Sequence, residues 1–310
     1  MKVIVHSPLS GIGQVCIKYC KLLGIRLSKP TDPIEGEDVF MFCLPVPENL
    51  ELMSKIKKES KSYKFMTVCE TETVHPAYGK LFDISKDFYV PSKFCKKILE
   101  RQFPEANLRV LEHWIPPPTP NLGTLVLPSP RPYIFYTIGN AIDPRKQVQK
   151  IIGAFLSLGL KNSHLVIKAT CNTNVDWKIP GVTIINGLVD DDTIQRIHNT
   201  CDCYVSFSNS EGVGMGAIEA ALNNKPVIIP KYGGCSEYIK TPFVITCGRK
   251  LVGFTDFLFT PDLEWGDPNL QDLLNHMKYC YDKNITSWEH VHTKEMLCQD
   301  KIKSKFIDDP

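Results

Sequence analysis

The sequence has no run of about 18 consecutive apolar residues, the length that a bilayer-spanning helix needs. It opens directly on a strand-like pattern, MKVIV, without the basic segment and apolar core of a secretory leader, so neither a signal peptide nor a spanning helix is expected. Strong charge of one sign is missing as well: 36 basic and 34 acidic side chains leave a formal net charge of +2. A nucleic-acid surface needs a clear basic excess, so nucleic acid is not an expected partner. There are 12 cysteines but no C-x-x-C pair, and Cys43, Cys69 and Cys171 lie in apolar runs, where a thiol behaves as a small hydrophobe. A reduced, cytoplasmic setting without zinc is the expectation. The sequence His290-Val291-His292 followed by Cys298 is the only hint of a metal cluster, and a surface helix explains it more simply. The sequon at Asn284 has no meaning in such a compartment.

What remains is ordinary globular material, 43% hydrophobic and 23% charged, and 310 residues suit two domains better than one. Met1–Val5 reads as a strand, and the loop HSPLSGIG leads into a helix from about Gln14 to Leu23 with Val15, Cys16, Tyr19, Cys20 and Leu23 on one face. Gly11 and Gly13 suggest a dinucleotide fingerprint, but five residues separate the strand from the first glycine. The second strand, near Ile25–Leu27, also lacks the following acid. Val39–Leu44 and Phe65–Cys69 read as buried strands around a lysine-rich helix, Asn49–Lys61. That helix is a solvated face, with a peripheral contact to anionic lipid as the alternative. The loop after Cys69 gathers Glu70, Glu72, His75 and Tyr78, the kind of groups α/β proteins keep beyond their strands. Asp87–Val90 reads as a strand, Ser92 as a helix N-cap with Phe94, Ile98 and Leu99 behind it, and Leu108–Leu111 as another strand. The proline-rich stretch 115–132 reads as a linker.

The α/β pattern then restarts, with strands at Tyr133–Ile138, Leu165–Lys168 and Val182–Ile185 and a helix at Gln147–Leu158. The three aspartates Asp190–Asp192 read as a helix N-cap and dipole complement rather than a metal site, because Ile194 and Ile197 follow at helical spacing. The densest pattern is Cys203–Tyr238: strand, glycine-rich turn, short helix, strand, second glycine turn. Gly212, Gly214 and Gly216 let the backbone approach a ligand closely, and a helix opening there presents free N–H groups to a phosphate. Glu211 and Glu219 flank that turn. The chain closes with a helix carrying Leu270, Leu273, Leu274, Met277 and Cys280 on its buried side, then a mostly polar helical tail.

The run EGVGMGAIEAALNNKPVI with GGCSEY, together with the Asp87-to-Pro91-Ser92 segment and the Trp265 segment, resembles the family 4 retaining glycosyltransferases of the GT-B fold. The resemblance touches most of the chain in order, most strongly over 83–103, 133–168 and 182–240. It implies an α/β GT-B fold of two Rossmann-like α/β/α domains facing each other across a cleft. The acceptor-side domain would span 1–128 and the donor domain 129–284, with the tail 285–310 packing back on the first domain. It implies transfer of a sugar from a nucleoside-diphosphate sugar of the UDP or GDP type, with retention and without a required metal. The acceptor would be a hydroxyl of a glycan, glycoprotein or glycolipid. By the same resemblance Glu211 meets the donor sugar, Glu219 the ribose, and Lys146 the diphosphate. Asn140 stands where relatives carry an arginine, and Arg145 or Lys168 would compensate. Gly212, Gly214, Met215, Gly216 and Ala217 would cradle the diphosphate, with Gly11 and Gly13 facing it. Asn186, Gly187 and Leu188 would lie near the base. His75 is the catalytic candidate of its loop, with Glu70, Glu72 and Tyr78 on the acceptor side; a structural role for the histidine is the alternative. A sugar-nucleotide epimerase, a phosphorylase, or a catalytically weak sugar-nucleotide-binding subunit are the rival functions, and Asn140 keeps the last one open.

Overall fold

Buried parallel strands are apolar along their whole length, because helices cover both faces of the sheet. The segments that read this way do form strands in the computed structural model of the chain, which describes residues 1–125, 130–170 and 174–308. Cys171 and residues 126–129 of the expected linker lie outside the described residues. The chain divides into two compact units: residues 1–116 with 251–265 and 296–310, and residues 117–250 with 266–295. Both are discontinuous in sequence, in place of the contiguous blocks 1–128 and 129–284 expected above.

The first unit begins with β1 (Lys2–Ile4), α1 (Gly11–Leu23), β2 (Leu27–Ser28), β3 (Asp38–Phe42), α2 (Pro47–Glu59) and β4 (Ser62–Met66). A 3-10 turn (Pro76–Tyr78) follows, then α3 (Gly79–Ile84), β5 (Asp87–Val90), α4 (Lys93–Gln102) and β6 (Asn107–Val110). The strands form one parallel sheet in the order β2-β1-β3-β4-β5-β6. Its core joins Ile4, Met41, Phe65 and Val90 to Met53 and Ile56 of α2 and to Ile98 and Leu99 of α4. Ser92 caps α4 by accepting from the Cys95 N–H, as its position in the sequence predicts. In α2 the lysines Lys55, Lys57 and Lys58 are exposed and Leu52, Met53 and Ile56 buried, the arrangement of a solvated helix face.

The second unit contains β7 (Tyr133–Gly139), a 3-10 turn (Pro144–Lys146), α5 (Val148–Leu158), β8 (Ser163–Ala169), β9 (Val182–Ile185) and α6 (Asp191–Thr200). β10 (Cys203–Val205), α7 (Met215–Leu222), β11 (Val227–Pro230), α8 (Cys235–Tyr238) and β12 (Val244–Ile245) follow. Its parallel sheet runs β12-β11-β10-β7-β8-β9. The first and fourth strands of the unit, β7 and β10, are therefore neighbours at the centre, with Cys203 opposite Phe135 and Tyr204 opposite Tyr136. Chain connections run outward from this pair in both directions, which makes it the topological switch point where α/β sheets open a crevice. β13 (Cys247–Leu251) and β14 (Glu264–Pro268) form a separate two-stranded sheet. The remaining helices are α9 (Leu270–Asp282), α10 (Val291–Met296) and α11 (Gln299–Asp308).

Several local readings shift. α1 starts at Gly11 rather than Gln14, because Ser10 caps it by accepting from the Gly13 N–H at 3.0 Å. β4 ends at Met66, short of Cys69. Leu270 is exposed rather than inward, while Leu273, Met277 and Cys280 are fully buried. His290 does not lie on a surface helix: it is buried, and its Nε2 donates to the Lys225 carbonyl at 2.8 Å. The tail is not uniform either. α11 belongs to the first unit, where Phe306 packs on Tyr19 and Phe40 and Lys305 pairs with Glu112 at 2.8 Å. No helix among the described residues is long and apolar enough to cross a membrane.

Candidate active site

The adjacency of β7 and β10 decides what meets at the centre of the second unit. The loop after β7 carries Asn140, Arg145 and Lys146; the loop after β10 carries Ser208, Asn209, Ser210 and Glu211. Both leave the carboxyl ends of neighbouring strands, so residues 65 apart in sequence come together. Lys146 Nζ donates to Glu211 Oε1 at 2.5 Å, and Arg145 lies 3.4 Å from Glu211 Oε2. The Asn209 N–H donates to the Arg145 carbonyl at 2.8 Å, which ties the two loops through their backbones.

Glu211 is fixed at three levels. Its carbonyl accepts from the Gly234 N–H at 2.8 Å, across the second glycine turn. A Cβ on Gly233, whose φ is +83°, would fall 2.5 Å from that same carbonyl oxygen, so no larger residue fits. The carboxylate is only 13% exposed. Burial pushes its pKa up, but Lys146, Arg145 and a hydrogen bond from Ser208 together outweigh burial and hold it at about 2. Glu211 is thus a committed anion.

Arg145 and Lys146 differ in what else holds them. The Arg145 guanidinium also donates to the Ser210 carbonyl at 2.7 Å and meets Asp143 at 3.1 Å, while the Asp143 side chain accepts from its N–H. Its side chain is 11% exposed, against 21% for Lys146. Arg145 is built into the turn; Lys146 carries its charge at the end of a stem that runs past Gly139. Asp143, Ser208 and Ser210 were not among the sequence candidates. For Ser208 and Ser210 the signal was the run of small polar residues directly beyond a buried strand.

α7 opens behind this pair. Gly214, at φ +80°, is the N-cap of α7 and, being glycine, has no side chain with which to cap it. A Cβ on Gly216 would sit 2.8 Å from the Tyr204 hydroxyl and 3.2 Å from Ile138, so the first turn of α7 rides directly on β7 and β10. Met215 and Gly216 are half-buried and Ala217 and Gly212 are buried. The partial positive charge at this N-terminus favours an anion. Glu219, on the same helix, is 19% exposed, and its Oε2 lies 3.9 Å from Nε2 of the buried His198.

The other candidates are held in several ways. Lys168 is 1% exposed and its ammonium donates to the Ala169 and Gly187 carbonyls, at 2.7 and 2.5 Å. The Asn186 amide clasps the Val175 backbone from both sides, Gly187 has a φ of +79°, and Leu188 is 64% exposed. The Asn140 Oδ1 accepts from the Ile142 N–H, so the asparagine shapes its own turn. In the first unit, a Cβ on Gly13 would fall 2.2 Å from the Ser7 carbonyl, and Gly11 opens α1 beside it. His75 caps the 3-10 turn by accepting from the Ala77 N–H at 3.1 Å. Tyr78 is buried and donates to the Val68 carbonyl, Glu72 takes a backbone and an ionic contact from Arg101, and Glu70 is half-buried.

The sequence model of glycosyl transferases group 1 matches residues 178–247, the stretch from just before β9 into β13 that contains Glu211 and Glu219. No curated protein sequence matches significantly. The fold resembles that of a glycosyltransferase from Rickettsia africae ESF-5, with a TM-score of 0.61 at 15% identity over 99% of this chain and 93% of that one. It resembles sucrose-phosphate synthase from Thermosynechococcus elongatus, with a TM-score of 0.61 at 13% identity over 98% and 94%. It also resembles a variant of S. aureus TarM in complex with fondaparinux, alpha-GlcNAc-glycerol and UDP, with a TM-score of 0.60 at 14% identity over 87% and 55%. The chain spans little more than half the length of TarM. Two parallel six-stranded Rossmann-like sheets, the second matched around its switch point by the glycosyl transferases group 1 model, give this chain the GT-B fold.

Proposed function

We propose that the chain transfers a sugar from a UDP- or GDP-sugar to a hydroxyl of a glycan or a lipid- or protein-linked acceptor, with retention and without a required metal. The observation that carries this is the convergence of Lys146 and Arg145 on Glu211 beside the open N-terminus of α7. Departure of a nucleoside diphosphate builds negative charge, and fixed donors aimed at it are worth about 3–4 kcal/mol each. Lys146 and the α7 N–H groups would supply that charge stabilisation. Glu211, ionised throughout the neutral range, would accept from the donor sugar's hydroxyls, and Glu219 from the ribose. Neither acts as nucleophile in this reading; the leaving phosphate takes the acceptor's proton on the same face. His75, Glu70, Glu72 and Tyr78 are proposed as acceptor-side groups, and Asn186, Gly187 and Leu188 as base-side groups.

Asn140 favours a second reading, a sugar-nucleotide-binding subunit with little turnover, since it supplies no cation. One experiment separates the two. Binding and slow hydrolysis of UDP- and GDP-sugars are measured in EDTA for the wild type and for Glu211→Gln. The glutamine keeps the shape and an acceptor oxygen without the charge, whereas an alanine would also remove the acceptor that Lys146 meets. The wild type should release nucleotide and Glu211→Gln should not, while both bind the nucleoside diphosphate. Undiminished release by a folded Glu211→Gln protein overturns the assignment, and binding without turnover favours the second reading. The anomeric configuration of the product, followed by NMR, tests retention.

A further inference from the structure

A second set of polar groups lies beneath α7, outside the Lys146–Glu211 pair. His198 of α6 is 1% exposed. Its Nδ1 is 2.7 Å from the hydroxyl of Tyr136, a fully buried residue of β7, and the two rings meet edge to face with centroids 5.5 Å apart. Its Nε2 is buried without a hydrogen-bond partner among the described residues and lies 3.9 Å from Glu219 Oε2. A buried polar nitrogen left unpaired is costly, so one aimed at a carboxylate calls for a reason.

The tautomer supplies it. A neutral imidazole has one N–H and one lone pair. With the proton on Nδ1, the Nε2 lone pair would face the carboxylate, acceptor against acceptor. With the proton on Nε2, the Tyr136 hydroxyl donates to Nδ1 and the Nε2–H points at Glu219. Tyr136 can fill that role because burial keeps its phenol protonated. The Tyr136 hydroxyl therefore donates to His198, and the Nε2–H faces Glu219 Oε2 at 3.9 Å, an electrostatic contact longer than a hydrogen bond. We propose that His198, held in one tautomer and orientation by Tyr136, is the positioning residue that aims Glu219 at the ribose hydroxyls of a nucleoside diphosphate. This rests on the ribose assignment of Glu219 made above. No proton is transferred; the imidazole orients the carboxylate from its buried side.

A residue that merely fills space would affect every nucleotide alike, whereas a residue that aims Glu219 affects only ligands with ribose hydroxyls. The test is calorimetric titration with UDP and GDP, and with the 2′-deoxy and 3′-deoxy forms of whichever binds. The wild type should prefer the ribonucleotide by roughly tenfold or more, the worth of a hydrogen bond to a charged group. His198→Phe fills the space but cannot donate; it should erase most of that preference while leaving deoxynucleotide affinity unchanged. His198→Gln places an amide N–H near the lost Nε2–H and should restore most of it. Tyr136→Phe, which releases the tautomer without touching His198, should lower the preference by a smaller factor. Equal weakening of ribo and deoxy ligands by His198→Phe, or an intact preference, overturns the inference. Where His198→Phe does not fold, an unchanged preference in Tyr136→Phe overturns it. A wild type that binds UDP or GDP without a ribose preference sinks the Glu219 assignment and this inference with it. A wild type that binds neither sinks the proposed function itself.

Discussion

Replacing Lys146 with methionine keeps the length of the side chain and removes the charge nearest Glu211. The Glu211 carboxyl, ordinarily at 4.5, is held at about 2, although burial alone would raise it. At about 1.4 kcal/mol per pK, that depression is worth about 3 kcal/mol of stability, an upper figure for a site with a little solvent access. The sign follows from the direction. The carboxylate binds its proton more weakly in the folded than in the unfolded chain, so the contribution is complete above pH 4.5 and is lost as the pH falls through 2. In Lys146→Met, burial is opposed by Arg145 and the Ser208 hydrogen bond alone, so the folded-state pKa moves up. The variant should lose about 2–3 kcal/mol at pH 7, because a buried charge stripped of one partner is strongly destabilising. In scanning calorimetry this corresponds to a fall in Tm of about 5–10 °C for the unit that holds the site. Below pH 4.5 the wild type starts to give up what the variant has already lost, and the gap should narrow by about 2 kcal/mol by pH 3. The double variant Lys146→Met/Glu211→Gln removes both charges and should recover most of the single loss. A gap that stays flat from pH 7 to pH 3, or a double variant that falls by the sum of the two singles, refutes the reasoning.

Two further tests concern the frame of the site. Gly216→Ala should lower Tm by several degrees, because its Cβ would meet the Tyr204 hydroxyl at 2.8 Å; Tyr204→Phe added to it should restore part of the loss, though not all, since the Ile138 carbonyl is 3.2 Å away. An unchanged Tm in the single variant would show that α7 does not ride this closely on the sheet. In the first unit, Phe306→Ala removes a fully buried ring that packs 4.8 Å from Phe40, and should cost about 3–5 kcal/mol. Calorimetry that finds less than about 1 kcal/mol would mean that α11 contributes little to that unit.

Strands and helices were legible because period and burial agree. DVFMF can only be a strand covered on both faces, and Ser92 two residues before Phe94 can only be a cap. The α1 boundary was misread because a glycine pair after a serine looks like a loop, yet a single hydroxyl on Gly13 N–H suffices to start the helix two residues earlier than the second glycine. The pairing of Lys146 with Glu211 was not legible at all in residue spacing. It depends on β10 inserting beside β7, a fact of strand order that no local pattern states. The buried position of His290 was hidden for a similar reason: its partner carbonyl, on Lys225, belongs to a distant turn. Likewise the polar tail concealed Ile302 and Phe306, whose spacing of four becomes meaningful only once a surface with Tyr19 and Phe40 is there to receive it.

The same strand order clarifies the missing arginine at Asn140. Arg145 is not a free substitute for it, because Asp143, the Ser210 carbonyl and Glu211 already hold that guanidinium. Two cations stand against Asp143 and Glu211, so their charges nearly cancel; under the proposed function, the charge that would meet a diphosphate is that of Lys146 and the α7 N-terminus. On the proposed reading a donor must therefore draw Lys146 partly away from Glu211. A simple anion that did so would leave a buried carboxylate short of a partner, which costs free energy. A sugar nucleotide brings the replacement with it: its phosphates take the ammonium while its sugar hydroxyls donate to Glu211. The ion pair then acts as a selectivity device, favouring a ligand that presents an anion and hydroxyl donors side by side over one that presents the anion alone.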